Sequence, residues 1–193
     1  MIENKLDIIS HSCESHIKIV DATLLRHKES IVEAADLICS SIRRGGKVVL
    51  FGNGGSAADA QHIAAEFVGR FLTERSSLPA FALTTDPSVV TAIANDYGYN
   101  HIFARQVEAL VNCDDVVVAI STSGNSENVV EGVQAAIKKG ATAVALSGNG
   151  GGRLHDMANI LIDVPSSDTP RIQEVHVLIG HLICELVEND LLK

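Results

Sequence analysis

Five short apolar runs, spaced by helix-length stretches, constrain this chain most: KVVLFG at 47–52, PAFALTT at 79–85, DVVVAIS at 115–121, ATAVALSG at 141–148 and ILIDVP at 160–165. Each is β-rich and nearly continuous rather than alternating, the pattern of a strand buried on both faces. The stretches 56–71, 126–139 and roughly 170–190 read as helices. Strand and helix in alternation predict an α/β protein, a three-layer sandwich with a central parallel sheet. Residues 1–45 differ. Ile31, Ala34, Ala35, Leu37, Ile38 and Ile42 are spaced as on a helix, and Gly45–Gly46 stop it. The expected division is an N-terminal helical segment, 1–45, and one α/β domain, 46–193, with no linker or repeat interrupting 47–165.

Composition narrows the function classes. Lys+Arg 15 against Asp+Glu 24 gives a net charge of −9, which argues against a nucleic-acid-coating protein. With no Trp and 4% aromatics, the chain also lacks the stacking surfaces of single-strand binders. No apolar run reaches the roughly 18–20 residues that span a bilayer, and MIENKLDIISHS lacks the basic-then-apolar order of a signal peptide. Cys13, Cys39, Cys113 and Cys184 are scattered without a CxxC, so reduced thiols are expected. The expectation is a cytoplasmic protein with neither membrane nor nucleic acid as partner.

Two loops carry the chemistry. The first strand runs into FGNGGSAADAQHIAAEF, 51–67, where Gly52, Gly54 and Gly55 allow a sharp turn and Ser56 stands to cap the following helix. A helix N-terminus offers unpaired N–H groups and a positive dipole end, so a phosphate can bind there without a lysine. The third run leads into ISTSGNSEN, 120–128, where Ser121, Thr122, Ser123 and Ser126 crowd around Gly124. Hydroxyls at a helix start are also ordinary caps. Two such loops at strand C-termini nevertheless lie along one sheet edge, where open α/β proteins bind ligands, and together they suit a phosphorylated, hydroxyl-rich ligand.

The helix after the first loop places His62 and Glu66 four residues apart on one face, with Arg70 a turn further. Imidazole and carboxylate are zinc ligands, and a carboxylate near a sugar can move a proton; the same spacing also describes an exposed ion pair. In IQEVHVLIGHLICELVE, 172–188, Gln173 and His181 are eight residues apart, about 80° around a helix, and can approach one site. His176 points elsewhere and reads as a core histidine with a hydrogen bond.

GNGGSAADAQHIAAEFVGRF, TTDPSVVTAIANDYGY at 84–99, ISTSGNSENV at 120–129 and RIQEVHVLIGHLICELVE at 171–188 resemble, in order and over nearly the whole chain, the sugar isomerase (SIS) family, specifically its phosphoheptose isomerases. The resemblance implies a flavodoxin-like SIS domain, a homotetramer and one zinc ion per subunit. It also implies interconversion of sedoheptulose 7-phosphate with D-glycero-D-manno-heptose 7-phosphate through an enediol, an early step towards lipopolysaccharide or another surface glycan. The family's zinc ligands fall on His62, Glu66, Gln173 and His181, and its acid and base on Glu66 and His181. Its substrate contacts fall on Asn53, Gly54, Gly55, Ser56, Glu66, Arg70, Asn95, Asp96, Ser121, Thr122, Ser123, Ser126 and Gln173.

One departure stands between VP at 164–165 and RIQE at 171–174: SSDTP is one residue shorter than in some members, and Pro170 takes the place of an aspartate. Thr169 is the expected ligand contact there, and Asp168 receives no role. A second likeness lies within the same scaffold. TERSSLPAFALTTDPSVVTAIAND, 73–96, resembles the DnaA initiator-associating protein, a non-enzymatic adaptor in replication initiation. That adaptor lacks an acid and a histidine at the places of Glu66 and His181 and has arginine where Ser123 stands, whereas this chain keeps the set.

Overall fold

The structure, a computed structural model, describes residues 4–192; the first three positions of the expected N-terminal segment and Lys193 lie outside the described residues. Helix α1, Lys5–Arg43, begins at Asn4, whose side chain accepts the Leu6 amide at 3.3 Å. Then β1, Val48–Gly52, leads to α2, Gly55–Val68; β2, Ala80–Ala82, to α3, Pro87–Tyr97, and α4, Ala104–Leu110. The last units are β3, Val116–Ser121, with α5, Glu127–Lys138; β4, Thr142–Gly148; β5, Ile160–Val164; and α6, Thr169–Leu191.

All strands are parallel in the order β2-β1-β3-β4-β5. The chain direction across the sheet switches between β1 and β3, and a ligand crevice opens at the strand C-termini there. Successive side chains divide the core in two. Val48, Leu50, Val116, Val118 and Ile120 pack with α1, α2 and α6; Val49, Phe51, Val117 and Ala119 pack with α4 and α5. This is the expected three-layer sandwich. Every residue of β1 and β3 is buried, and each Val, Leu or Phe so placed stabilises the fold by about 1.5–3 kcal/mol.

Two helices between β2 and β3 had no counterpart in the apolar pattern. Asp86 caps α3 through bonds from the Ser88 and Val89 amides, Pro87 starts it and Gly98 ends it, but no residue of α3 is buried. Its inward stripe, Val90, Ile93 and Ala94, is only half-buried and barely one turn long, so the helical period is weak.

Candidate active site

The β1–α2 turn and the β3–α5 turn meet at the switch point. Asn53 Nδ2 donates to Asn128 Oδ1 at 2.8 Å, Asn128 Nδ2 donates back to Asn53 Oδ1 at 2.9 Å, and Tyr99 Oη donates to the same Asn53 oxygen at 3.1 Å. Asn128 is buried and holds the two loops in register, a role the sequence reading missed. Its signal is an asparagine in the β1–α2 turn and another in the first turn of α5, at equivalent strand-to-helix junctions. The expected cap at Ser56 is a correction. Gly54 is the N-cap of α2 and makes no side-chain bond, while Ser56 lies inside the first turn, buried beneath it.

A cleft of about 320 Å³ opens beside the second loop, lined by Thr122, Ser123, Asn125, Ser166, Ser167 and Thr169 with the backbone of Gly148–Asn149 and Gly152. No lining side chain is charged. Its donors are hydroxyls, a side-chain amide and the N-terminus of α6, which suits an anion held by hydrogen bonds. Ser121 Oγ donates to Ser126 Oγ at 3.1 Å behind it. The cleft wall is tied to α1: Asp163 accepts the Gly150 amide at 2.9 Å and meets His27 Nε2 at 2.8 Å. Thr169 therefore joins the second-loop hydroxyls, and Asp168, the N-cap of α6, is exposed outside them.

The second assembly lies between α2 and α6. His62, Glu66 and His181 bring one ligand atom each to within 4.8 Å of one another. The two imidazole Nε2 atoms are 2.7 Å apart, and His62 Nε2 is 3.8 Å from Glu66 Oε1. Two neutral imidazoles meeting at Nε2 satisfy each other only if one is protonated there, whereas a cation takes both lone pairs. Two nitrogens and a carboxylate oxygen suit zinc, which takes such ligands at about 2.0–2.2 Å. Close helix packing makes this approach possible, because Gly180 leaves room for Ile63 where any side chain would overlap it.

Gln173 stands apart. Its amide lies against Gly55 at the start of α2, in the space a Cβ would occupy there. The structure thus brings three of the four expected ligands together and puts the fourth nearer the glycine loop. Arg70, Asn95 and Asp96 are exposed and outside both assemblies: Arg70 faces Glu74 at 3.6 Å, and Asn95 donates to Asp96 at 2.8 Å.

Buried polar groups surround the triad. Burial raises the Asp59 carboxyl above its ordinary range, against the pull of His62, and its Oδ2 has no protein partner. Burial also pulls His176 down to about 4, so the ring is neutral; its Nε2–H donates to the Ser147 carbonyl at 3.0 Å and Nδ1 stays unpartnered. The reading of His176 as a core histidine with one bond matches that geometry. Burial pushes the Glu188 carboxyl up, but the amides of Phe71, Thr73 and Leu72 and the Arg75 guanidinium outweigh it and hold it below the usual value. All four cysteines are free, and burial pushes the Cys39 thiol to about 11 and Cys184 to about 12. Among the described residues no helix is long and apolar enough to cross a membrane.

The sequence profile of the SIS domain matches residues 12–148. The phosphoheptose isomerase of Aquifex aeolicus is 51% identical over 189 residues, covering 98% of this chain and 97% of that one. Two solved structures are similar throughout. The phosphoheptose isomerase of Neisseria gonorrhoeae has a TM-score of 0.91 at 41% identity, covering 96% of this chain and all of that one. That of Francisella tularensis has a TM-score of 0.93 at 40% identity, covering 96% and 99%.

Proposed function

The chain belongs to the SIS-domain family, and from that membership we propose that it is a phosphoheptose isomerase, converting sedoheptulose 7-phosphate to D-glycero-D-manno-heptose 7-phosphate for a surface glycan. The observation that carries this reading is the convergence of His62, Glu66 and His181 within 4.8 Å, in a protein whose second loop forms an uncharged hydroxyl cleft. The α/β unit that follows α1 carries both, and α1 joins α2 and α6 over one face of the sheet.

The reaction moves a proton between adjacent carbons. Glu66 takes the proton from C1 of the ketose, and the electron pair moves through the C1–C2 bond onto O2, which accepts a proton from His181. The resulting enediol collapses in reverse sense: the O1 proton returns to His181 and Glu66 delivers its proton to C2, leaving the aldehyde at C1. Zinc, held by His62, Glu66 and His181, would polarise the carbonyl and stabilise negative charge on its oxygen; Gln173, which lies against Gly55 in this structure, would have to leave that contact to join as the fourth ligand. In the proposed division of labour His181 holds and returns the oxygen-bound proton and Glu66 the carbon-bound one, while both would also help to hold the metal. The phosphate is held by Thr122, Ser123, Ser126 and Thr169 with the α5 and α6 N-termini. Asn53, Gly54, Gly55 and Ser56 present the first loop to the sugar, beside Ser121.

A homotetramer supports this site. Leu6, Ile9 and Ile17 are 67%, 60% and 59% exposed at helical spacing on α1, with Leu25 at 88%, an apolar stripe that a second copy would cover. Along α6, Thr169 and His181 are twelve residues apart, about 18 Å of helix rise, which favours a site completed between subunits. Arg70, Asn95 and Asp96 are exposed and available to a neighbouring copy. With free thiols and a net charge of −9, the setting is the cytoplasm, without nucleic acid as a partner.

The deciding experiment is turnover of sedoheptulose 7-phosphate by zinc-supplemented protein, followed by NMR, beside a chelator-treated sample. Aldose phosphate that forms only with the metal is the expected result. An intact, zinc-loaded oligomer that leaves the sugar unchanged would overturn the assignment.

A further inference from the structure

Arg75 and Glu188 form a buried ion pair, their side chains 5% and 3% exposed, and no step of the isomerisation uses either. We propose that they are positioning residues for the metal triad, locking the end of α2 that carries Glu66 to α6, which carries His181, and holding Phe71 on the His181 ring.

The contacts are specific. Arg75 Nε donates to Glu188 Oε2 at 3.0 Å, Nη2 to the Glu66 carbonyl at 2.9 Å and Nη1 to the Phe67 carbonyl at 2.9 Å. Because α2 ends at Val68, those carbonyls are among the last four of the helix, which have no partners within it. A planar guanidinium with five donors can fork to them and to a carboxylate at once; an ammonium cannot. Glu188 in turn accepts three consecutive amides, Phe71 at 3.1 Å, Leu72 at 2.9 Å and Thr73 at 2.6 Å. The segment leaving α2 is thereby pinned to α6 two turns beyond His181. Phe71 lies 5.3 Å from the His181 ring, tilted by 35°, while His62 meets the same ring at 5.0 Å and 67°. His181 thus sits between its fellow ligand and a phenyl ring fixed through Glu188.

This role rests on the metal-site reading of the triad, and two measurements on the full-length oligomer keep the two apart. One is zinc affinity by competition with a chromophoric chelator. The other is NMR of the His181 ring protons in metal-free protein, assigned with His181→Gln. Arg75→Lys and Glu188→Gln should each weaken zinc binding tenfold or more, shift the His181 resonances and lower kcat with KM changed less than twofold. Folded variants with wild-type zinc affinity and unmoved His181 resonances would overturn the role. Should Glu188→Gln fail to fold, Phe71→Leu, which leaves the ion pair in place, decides by zinc affinity: a tenfold loss supports the role and no loss removes it. If the wild-type protein binds no zinc, the metal reading falls, and unmoved His181 resonances in Arg75→Lys still remove the positioning role.

Discussion

The two ends of α6 solve opposite problems. At its start, Thr169 faces a cleft without a charged side chain, walled by hydroxyls and glycine backbone. Just over three turns later His181 meets His62 and Glu66 in a cluster of titratable groups, braced by the buried Arg75–Glu188 pair. An anchor for a group that does not react needs only hydrogen bonds that survive release. A centre that moves protons needs ligands whose spacing does not drift, because a misplacement of an ångström costs orders of magnitude in rate. On the proposed reading, charge and bracing sit at the reacting centre, and neutral donors sit where the substrate would merely be held.

The sharpest way to break this contrast is to remove the groups proposed to move protons. Glu66→Gln or His181→Gln should lower turnover by about 10²–10⁴-fold or more, with the circular dichroism spectrum and melting curve unchanged. His62→Ala should strip most of the zinc, read by elemental analysis; a rate within a factor of two of wild type in all three would erase the distinction between the ends. Next comes the helix contact itself. Gly180→Ala sets a methyl against Ile63 and should destabilise the fold by about 1–3 kcal/mol in urea unfolding while weakening zinc binding. The anchor end should respond more mildly: Thr169→Ala removes one neutral hydrogen bond, about 1 kcal/mol, so KM should rise about fivefold with kcat preserved. A fall in kcat larger than the rise in KM would move Thr169 into the reacting centre.

The smallest effect is confined to acid. The Glu188 carboxyl is held below its ordinary 4.5, so its contribution to stability is full above that value and is lost as pH falls through the lower folded-state value. Wild-type stability should therefore decline on the acid limb more steeply than that of Glu188→Gln, measured by urea midpoints. Parallel curves would show that this carboxylate does not gain from its donors.

Sequence legibility followed the same division. The strands were readable because apolar runs buried on both faces need no partner to be recognised, and their observed bounds differ from the expected ones by at most three residues. His62 and Glu66 were readable because a helix sets their spacing. Arg75 and Glu188 were not, since 113 residues separate them and neither belongs to a local pattern; only the packing of α2 on α6 makes them neighbours. Asn128 was hidden for a related reason, being defined by Asn53 in another loop. The helix α3 was hidden because only Val90, Ile93 and Ala94 turn inward, and those only in part, although Asp86, Pro87 and Gly98 bracket it in the sequence.

The packing of α1 against α6 carries a consequence for how the molecule is made. These are the first and last helices of the described chain, and the half of the core built on α1, α2 and α6 shares their apolar faces. As synthesis proceeds, the sheet grows with that half-core uncovered, and α1 waits for its partner through the whole α/β unit. The closing contacts are long-range and slow to form. Nascent chains halted before α6 would carry an open greasy face, a natural target for chaperone capture, whereas completion of one helix closes the core and brings His181 to His62 and Glu66 in the same event.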